Sequence, residues 1–412
     1  MSLLIEMNGF EASDNGVYKA QGADPFAYSD GESSEKLLEK ILSNTEDLSS
    51  NSEELTAQIV DWPSEYHLSV ARANLLRPLN LNNVQRVLEL GCGCGSITRY
   101  LGEQPGIQVD SIEGSPSRAA LAALRCKDLD NVTITTANFN KIEIPENYYD
   151  LVLFVGVTEY AGRFSAHERD QDALQDLLAI GRRASTPEGV TVVAIENRVG
   201  LKYLMGACED HYGVPYVGLD DYPESSGIRT YTKDEWQTQL NLAGFTNYHF
   251  AYPFPDYKVP SLLISDDALA DVEQRSELTD SLSRVKSRCY LADFNLGEQE
   301  ARMWQGHLEA ETLGQHSNSF LIFAGDDLNA INNLCGFLVK EYQTPSLKYL
   351  IKNSQQVSNT SSLLDELVQH DELEIAHARA HHLESKVDLI TGSTGWRFLN
   401  VIRRLLGKST VR

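Results

Sequence analysis

The chain has 412 residues, of which 42% are hydrophobic, and its formal net charge is -24 at pH 7. This length exceeds what a single hydrophobic core usually holds, so we expect one principal domain with appendages. The strong negative charge argues against general affinity for nucleic acid or for anionic membranes, because phosphate groups would be repelled over most of the surface.

The cysteines and the hydropathy pattern indicate a reducing compartment. Six cysteines are scattered through the chain, and the opening segment "MSLLIEMNGFEASD" lacks a basic region followed by an apolar core. No apolar run approaches the ~20 residues that a membrane span needs. We therefore expect a cytoplasmic protein without a disulfide framework.

Residues 1–60 form an acidic lead with serine and asparagine clusters such as "SNTEDLSSNSEE". Such a composition favours poor packing, so we expect one helix near residues 36–42 and little chemistry in this segment.

The central part of the chain alternates between strand-like and helix-like segments. A helical pattern, "WPSEYHLSVARANLLRPLN", is followed by "VQRVLEL", helix 95–103, "VDSIEG", helix 116–126, "VTITTAN", "YDLVLFVGV", helix 170–183 and "GVTVVAIEN". Short buried strands that alternate with amphipathic helices are typical of a parallel sheet covered on both faces. The sequence therefore predicts an α/β domain over residues 61–325.

Two insertions are expected in this domain. Residues 198–230 are too long for an ordinary connection, and residues 264–313 have a largely helical pattern before the strand "NSFLIFAG". Long loops in compact domains are commonly functional. Beyond the domain we expect an extension and linker over residues 326–355 and a helical region over residues 356–412.

A glycine-rich loop, "LELGCGCGS", follows the first central strand and is open to three interpretations. A zinc knuckle is disfavoured because Cys92 and Cys94 have no second cysteine pair downstream. A P-loop needs lysine and then serine or threonine after its second glycine, and a dinucleotide loop needs glycine where Ser96 stands. What remains is the pattern E-x-G-x-G-x-G.

This pattern resembles the first motif of the class I S-adenosylmethionine-dependent methyltransferases. The resemblance implies a doubly wound, Rossmann-like, mostly parallel sheet of seven strands, with S-adenosylmethionine as cofactor, S-adenosylhomocysteine as product and no metal. Glycines let the backbone turn sharply and approach a ligand closely.

The next strand tips fit the same pattern. Glu89 can receive the methionine ammonium, Glu113 both ribose hydroxyls, and Asn138 the adenine amino group, although an acid is often found at the last position. The implied cofactor-binding residues are Tyr66, Glu89, Gly91, Cys92, Gly93, Gly95, Glu113, Gly114, Asn138, Phe139, Val155 and Gly156.

Several further segments narrow the resemblance, among them "GVTEYAG", "ENRVGLKYLMGACEDHYG" and "GIRTYTKDEW". Together they are similar to bacterial methyltransferases of surface-polysaccharide synthesis (O-antigen or capsule) that are associated with glycosyltransferases. This implies methyl transfer to a sugar hydroxyl, with a terminal phosphate as another acceptor. Two alternatives stay open: a non-catalytic adaptor that recruits glycosyltransferases to the membrane, and methylation of a small molecule or protein.

Methyl transfer to an alcohol needs an aligned acceptor and a base. His211, on the long loop after the fifth strand, is the first candidate for the base, Glu159 is the second, and Asp210 is expected to orient His211. The candidates for substrate binding are Arg229, Asp256, Tyr257 and Lys258.

The segment 393–412 reverses the charge of the chain, with five basic residues and no acidic one. As a helix it would be amphipathic, so it is expected to bind either an anionic membrane surface or a protein partner such as a glycosyltransferase. The first alternative places the protein at the inner face of the cell membrane.

Overall fold

The computed structural model describes residues 2–19, 32–164, 169–223, 227–291 and 294–343. The expected helical region 356–412, including the basic segment 393–412, lies outside the described residues, as do residues 344–355 of the linker.

One mixed sheet runs through the described residues. Its strands follow the order β1-β2-β5-β4-β3-β6-β7-β10-β8-β9-β11. They are β1 (Glu11–Ala12), β2 (Tyr18–Lys19), β3 (Arg86–Leu90), β4 (Gln108–Glu113), β5 (Val132–Thr136), β6 (Tyr149–Val155), β7 (Ser185–Glu196), β8 (Asn247–Phe254), β9 (Leu262–Ser265), β10 (Ser319–Gly325) and β11 (Val339–Glu341).

The seven central strands have the predicted topology. β5, β4, β3, β6 and β7 are mutually parallel, and β10 lies antiparallel between β7 and β8. This is the doubly wound, Rossmann-like sheet of the class I methyltransferase fold, in which "NSFLIFAG" supplies the antiparallel strand. The pairs β1–β2 and β9–β11 extend the two edges.

Helices cover the sheet and its edges. They are α1 (Leu3–Asn8), α2 (Glu32–Asn44), α3 (Glu53–Ala57), α4 (Trp62–Leu68), α5 (Ser96–Gly102), α6 (Pro116–Arg125), α7 (Asp170–Ala184), α8 (Leu201–Leu204), α9 (Lys233–Leu242), α10 (Asp266–Ala270), α11 (Val272–Ser283), α12 (Gln299–Glu309), α13 (Leu313–His316) and α14 (Leu328–Leu334). Short 3-10 turns span Val70–Leu75, Phe139–Lys141 and Thr158–Phe164. Within the described ranges, none of these helices is both long enough and apolar enough to span a bilayer.

The central strands are buried on both faces. In β6, Leu151 and Leu153 pack in one hydrophobic cluster, while Val152 and Phe154 pack in the other. Side chains of a strand alternate between the two faces, so a continuous apolar run marks a strand with helices on both sides. This packing holds the carboxyl ends of the central strands in place, and the candidate site lies at these ends.

The acidic N-terminal segment packs more extensively than its composition suggests. Leu4 and Ile5 of α1 are buried, β2 pairs with β5, and α2 buries Leu38, Ile41 and Leu42. The charges lie on the outer face of α2, while its apolar residues follow helical spacing and face the domain. The average composition of residues 1–60 does not show this amphipathic pattern, so the expectation of poor packing was wrong for α2.

Candidate functional site

A cavity of about 1270 Å³ lies beyond the carboxyl ends of β3, β4, β6 and β7. This is the edge at which ligands bind in open α/β sheets. The structure places most of the predicted site residues in its lining: Tyr66, Glu89, Gly91, Cys92, Gly93, Glu113, Gly114, Asn138, Phe139, Val155, Gly156, Glu159, Asp210, His211, Tyr257 and Lys258. Gly95, Arg229 and Asp256 lie outside the lining.

The glycine loop has a backbone that other residues rarely adopt. Gly91, Gly93 and Gly95 have φ angles of 82°, 55° and 78°. A Cβ atom on Gly95 would lie 2.8 Å from the Cα atom of Ala122 in α6. Gly95 therefore permits close packing of the loop against α6, and its neighbours in the loop face the cavity.

Glu89, the residue before the last in β3, is a buried carboxylate that lines the cavity. Its Oε2 atom accepts hydrogen bonds from the hydroxyl groups of Thr98 at 2.6 Å and Ser111 at 2.9 Å. Burial raises the pKa of Glu89 to about 7, although both hydrogen bonds oppose this effect. A cationic ligand group beside it would favour the ionised form.

Glu113 lies at the tip of β4 and contacts the glycine loop. Its Oε2 atom accepts the backbone N–H of Gly93 at 2.8 Å, and its Oε1 atom accepts that of Ser115 at 2.9 Å. A carboxylate has about four acceptor positions, so further hydroxyl donors can still bind. Glu113 thus shapes the loop and offers acceptors to the cavity.

Asn138 lies at the tip of β5, where its side chain caps a short turn. Its Oδ1 atom accepts the backbone N–H of Asn140 at 3.0 Å. The same oxygen has one further lone pair for a ligand amino group. The aromatic ring of Phe139 also borders the cavity.

His211 lines the same cavity and lies between two carboxylates. Its Nδ1 atom is 2.9 Å from Glu209 Oε1, and its Nε2 atom is 3.5 Å from Glu159 Oε1. Burial alone lowers the pKa of His211, but the two carboxylates outweigh it and raise the pKa well above the ordinary value. The imidazole is therefore protonated near neutral pH, which weakens the prediction that it acts as the base.

Asp210 does not orient His211, contrary to expectation. Burial raises its pKa, but Lys202 and Lys258 outweigh this effect and hold the pKa well below the ordinary value. Its carboxylate binds both ammonium groups, with Lys202 at 3.1 Å. The neighbouring Glu209 holds the imidazole instead.

Two predicted substrate residues have structural partners away from the cavity. Asp256 is fully buried and accepts the Tyr290 hydroxyl at 2.6 Å. Arg229 pairs with Asp221 at 2.6 Å. The long loop turns the Arg229 side chain away from the cavity, and the segment after β8 turns Asp256 inward, while Tyr257 and Lys258 face the cavity.

The sequence interpretation missed Glu196, Glu209 and Lys202. Glu196 ends β7 and lines the cavity, so the strand-tip rule that selected Glu89 and Glu113 could have found it. Lys202 and Glu209 belong to the long loop, where no periodicity indicates which side chains turn inward.

Comparison with known proteins agrees with this fold. Residues 88–190 match a family model described as a methyltransferase domain. No curated protein matches the chain.

Solved structures similar to this chain include three methyltransferases. Phosphoethanolamine N-methyltransferase 2 of Haemonchus contortus, in complex with S-adenosyl-L-methionine, has 20% identity and a TM-score of 0.37, covering 62% of this chain and 52% of its own. A SAM-dependent methyltransferase of Archaeoglobus fulgidus has 16% identity and a TM-score of 0.36, covering 62% and 91%. One of Aquifex aeolicus has 20% identity and a TM-score of 0.31, covering 45% and 84%.

The chain thus spans about half the length of the Haemonchus protein. The sheet has the topology of the class I, Rossmann-like methyltransferase fold, and the family match covers residues 88–190 of it.

Proposed function

We propose that this protein is an S-adenosylmethionine-dependent methyltransferase that methylates a sugar hydroxyl in bacterial surface-polysaccharide synthesis. The observation that carries the first part is the convergence of the glycine loop, Glu89 and Glu113 on one cavity at the carboxyl edge of the sheet. The match of residues 88–190 to a methyltransferase domain supports the same activity.

The residues on and around the glycine loop fit the cofactor. Glu89 would hold the ammonium group, Glu113 the ribose hydroxyls, and Asn138 with Phe139 the adenine. The positive φ angles of the loop leave backbone, without side chains, facing the ligand. The bound cofactor supplies a methyl group activated by its sulfonium.

The acceptor is proposed to bind at the cavity residues Tyr66, Tyr160, Glu159 and Lys258. There, acceptors and donors for several hydroxyl groups are combined with aromatic rings. This combination supports a polyhydroxylated acceptor, and the sequence resemblance supports a saccharide.

Glu159 is the better candidate for the base. Burial raises its pKa above the ordinary value, whereas His211 already holds a proton near neutral pH. A more basic carboxylate removes a hydroxyl proton more readily in the transition state. We assign His211 the role of holding Glu159 in place.

The proposed partners follow from the same function. The segment 393–412, outside the described residues, would bring the enzyme to glycosyltransferases or to the inner face of the membrane.

The test is incubation with methyl-deuterated S-adenosylmethionine and fractionated glycans, lipid-linked sugars and nucleotide sugars. We expect S-adenosylhomocysteine to form, and mass analysis to find the label on a sugar oxygen. The variant Glu113→Ala, with a weakened cofactor site, is the negative control.

With whole cell extract as the acceptor, label only on protein or on small molecules without a sugar would overturn the saccharide assignment. No labelled product with the fractions or with the extract would overturn the activity and would favour the adaptor.

A further inference from the structure

Three groups that can bind a metal ion meet in the lining of the cavity. One ligand atom from each of Glu159, Glu196 and His211 lies within 4.8 Å of the others. They come from the turn after β6, the end of β7 and the long loop that follows, and all three line the cavity.

Within the described part of the chain, two carboxylate oxygens in this group have no hydrogen-bond partner. They are Oε2 of Glu159 and Oε2 of Glu196, whose side chains are 2% and 1% exposed. A buried anionic oxygen without a partner is costly, since neither water nor a donor compensates for its desolvation. The arrangement favours a cation between them.

Lys258 already pairs with one oxygen of Glu196, but the nearby lysines leave the two Oε2 atoms without a cation. Lys258 binds Oε1 of Glu196 and the carboxylate of Asp210, and Lys202 binds Asp210 and Asp256. Both ammonium groups are thus committed to other oxygen atoms.

The imidazole of His211 is held as histidine ligands are held. Its Nδ1 atom faces Glu209 Oε1 at 2.9 Å, and Glu209 is itself fixed by the backbone N–H groups of His211 and Tyr212, at 2.7 and 2.9 Å. A carboxylate that receives the other ring N–H is the usual partner of a metal-bound histidine. The Nε2 atom is left facing Glu159 at 3.5 Å, beyond a normal hydrogen bond.

We propose that Glu159, Glu196 and His211 bind a divalent first-row transition cation, of which Mn²⁺ and Zn²⁺ are the best examples. One imidazole and two carboxylates form a ligand set that both ions accept. The ion replaces the ring proton at Nε2, as ligation by histidine requires. The family resemblance implied no metal, and these three ligands lie too far apart in the chain for a local spacing to indicate them.

The role of the ion rests on the proposed methyltransferase function. A cation bound beside the acceptor would coordinate the hydroxyl oxygen and ease the transfer of its proton to Glu159, while the oxygen takes the methyl group and S-adenosylhomocysteine leaves. An ammonium group of an amine acceptor is the other cation that these oxygens would attract. The metal is favoured because Nε2 faces the same point, and the ring orientation set by Glu209 suits ligation.

The experiment measures metal binding directly. The full chain is treated with a chelator, desalted and titrated with Mn²⁺ near neutral pH, and the free ion is followed by its electron paramagnetic resonance signal. Zn²⁺ is then added as a competitor. We expect one Mn²⁺ per chain, displaced by Zn²⁺, and an affinity at least ~10-fold lower in Glu159→Gln and in Glu196→Gln.

Glu143→Gln is the matched control, because Glu143 is an exposed carboxylate on the same cavity. It should bind Mn²⁺ like the unchanged chain. Near-ultraviolet circular dichroism shows that each variant is folded, and calorimetry with S-adenosylhomocysteine on the same samples tests the cofactor site independently.

The two proposals fail separately. Binding of S-adenosylhomocysteine without saturable binding of Mn²⁺ or Zn²⁺ would overturn the metal site and leave the methyltransferase. Binding of Mn²⁺ without S-adenosylhomocysteine would do the reverse. Unchanged Mn²⁺ affinity in both folded glutamate variants would also overturn the metal site. Binding of an amine acceptor by a chain that binds neither Mn²⁺ nor Zn²⁺ would overturn it as well.

Discussion

Glu113 accepts the backbone N–H of Gly93 at 2.8 Å, which joins the tip of β4 to the glycine loop after β3. The residue proposed to bind the ribose therefore also holds the loop that borders the cofactor site. Its substitution has two effects, and a pair of variants can separate them.

We predict that Glu113→Ala weakens binding of S-adenosylhomocysteine by about 1.5–3 kcal/mol, as expected for loss of charge-assisted hydrogen bonds. Glu113→Gln keeps one acceptor for Gly93 and should lose less. Calorimetry measures both. Glu188→Gln, an exposed acid on β7 that does not line the cavity, is the control. Full affinity in Glu113→Ala would remove this residue from the cofactor site.

Glu89 should make cofactor binding depend on pH. Burial raises its pKa from 4.5 to about 7, so the carboxylate becomes ionised only as the pH rises through neutrality. If it binds the cofactor ammonium, affinity should fall as the pH is lowered from about 8 to about 6. Glu89→Gln should flatten this profile, and an identical slope in the variant would contradict the assignment.

The same shift has the opposite sign for stability. Between pH 4.5 and about 7 the folded chain keeps a proton at Glu89 that the unfolded chain has released. The contribution of this group to the free energy of unfolding therefore falls as the pH rises through that window. Denaturant unfolding of the wild type and Glu89→Gln at several pH values should show that their difference follows this trend.

Gly95→Ala should destabilise the fold more than a glycine replacement with similar φ but no neighbour. Gly95 and Gly106 have φ angles of 78° and 77°, but only the Cβ at Gly95 would meet Ala122, at 2.8 Å. The left-handed backbone costs about 1–2 kcal/mol in either variant, and the overlap should add about 1–3 kcal/mol in Gly95→Ala. Equal losses in denaturant unfolding would show that the loop adjusts freely.

The buried lysine behind the site should be important for stability. Lys202→Met leaves Asp210 and Asp256 without one of their ammonium partners, and breaking such a buried pair costs about 3–5 kcal/mol. Lys36→Met removes an exposed pair with Glu32 and should leave denaturant unfolding nearly unchanged. Equal stability of the two variants would contradict the proposed role of Lys202.

Glu159→Gln should lower turnover by about 10²–10⁴ with cofactor affinity nearly intact, because it removes the proposed base. His211→Ala should lower turnover less, because it only frees Glu159 from its imidazole partner. His249→Ala, on β8 and outside the cavity lining, is the control. Single-turnover kinetics with the acceptor and calorimetry with S-adenosylhomocysteine separate the two quantities. Full turnover in His211→Ala would remove His211 from the acceptor site.

The strand tips could be predicted because periodicity and topology determine them. Once "VLEL" and "DSIE" are parallel neighbours, Glu89 and Glu113 must end at the same edge of the sheet. That Glu209 and not Asp210 holds the imidazole of His211 could not be predicted in this way. Adjacent loop residues have no periodic signal, and their directions depend on contacts with Lys202 and Tyr222 of the same loop and with Lys258 after β8.

Calorimetric titration of the full chain with S-adenosylmethionine tests the central claim most directly. We predict saturable binding of one cofactor per chain, in the micromolar range that ~-8 kcal/mol represents, weakened in Glu113→Ala and retained in Glu188→Gln. Absence of binding of both S-adenosylmethionine and S-adenosylhomocysteine to the folded protein would contradict the account.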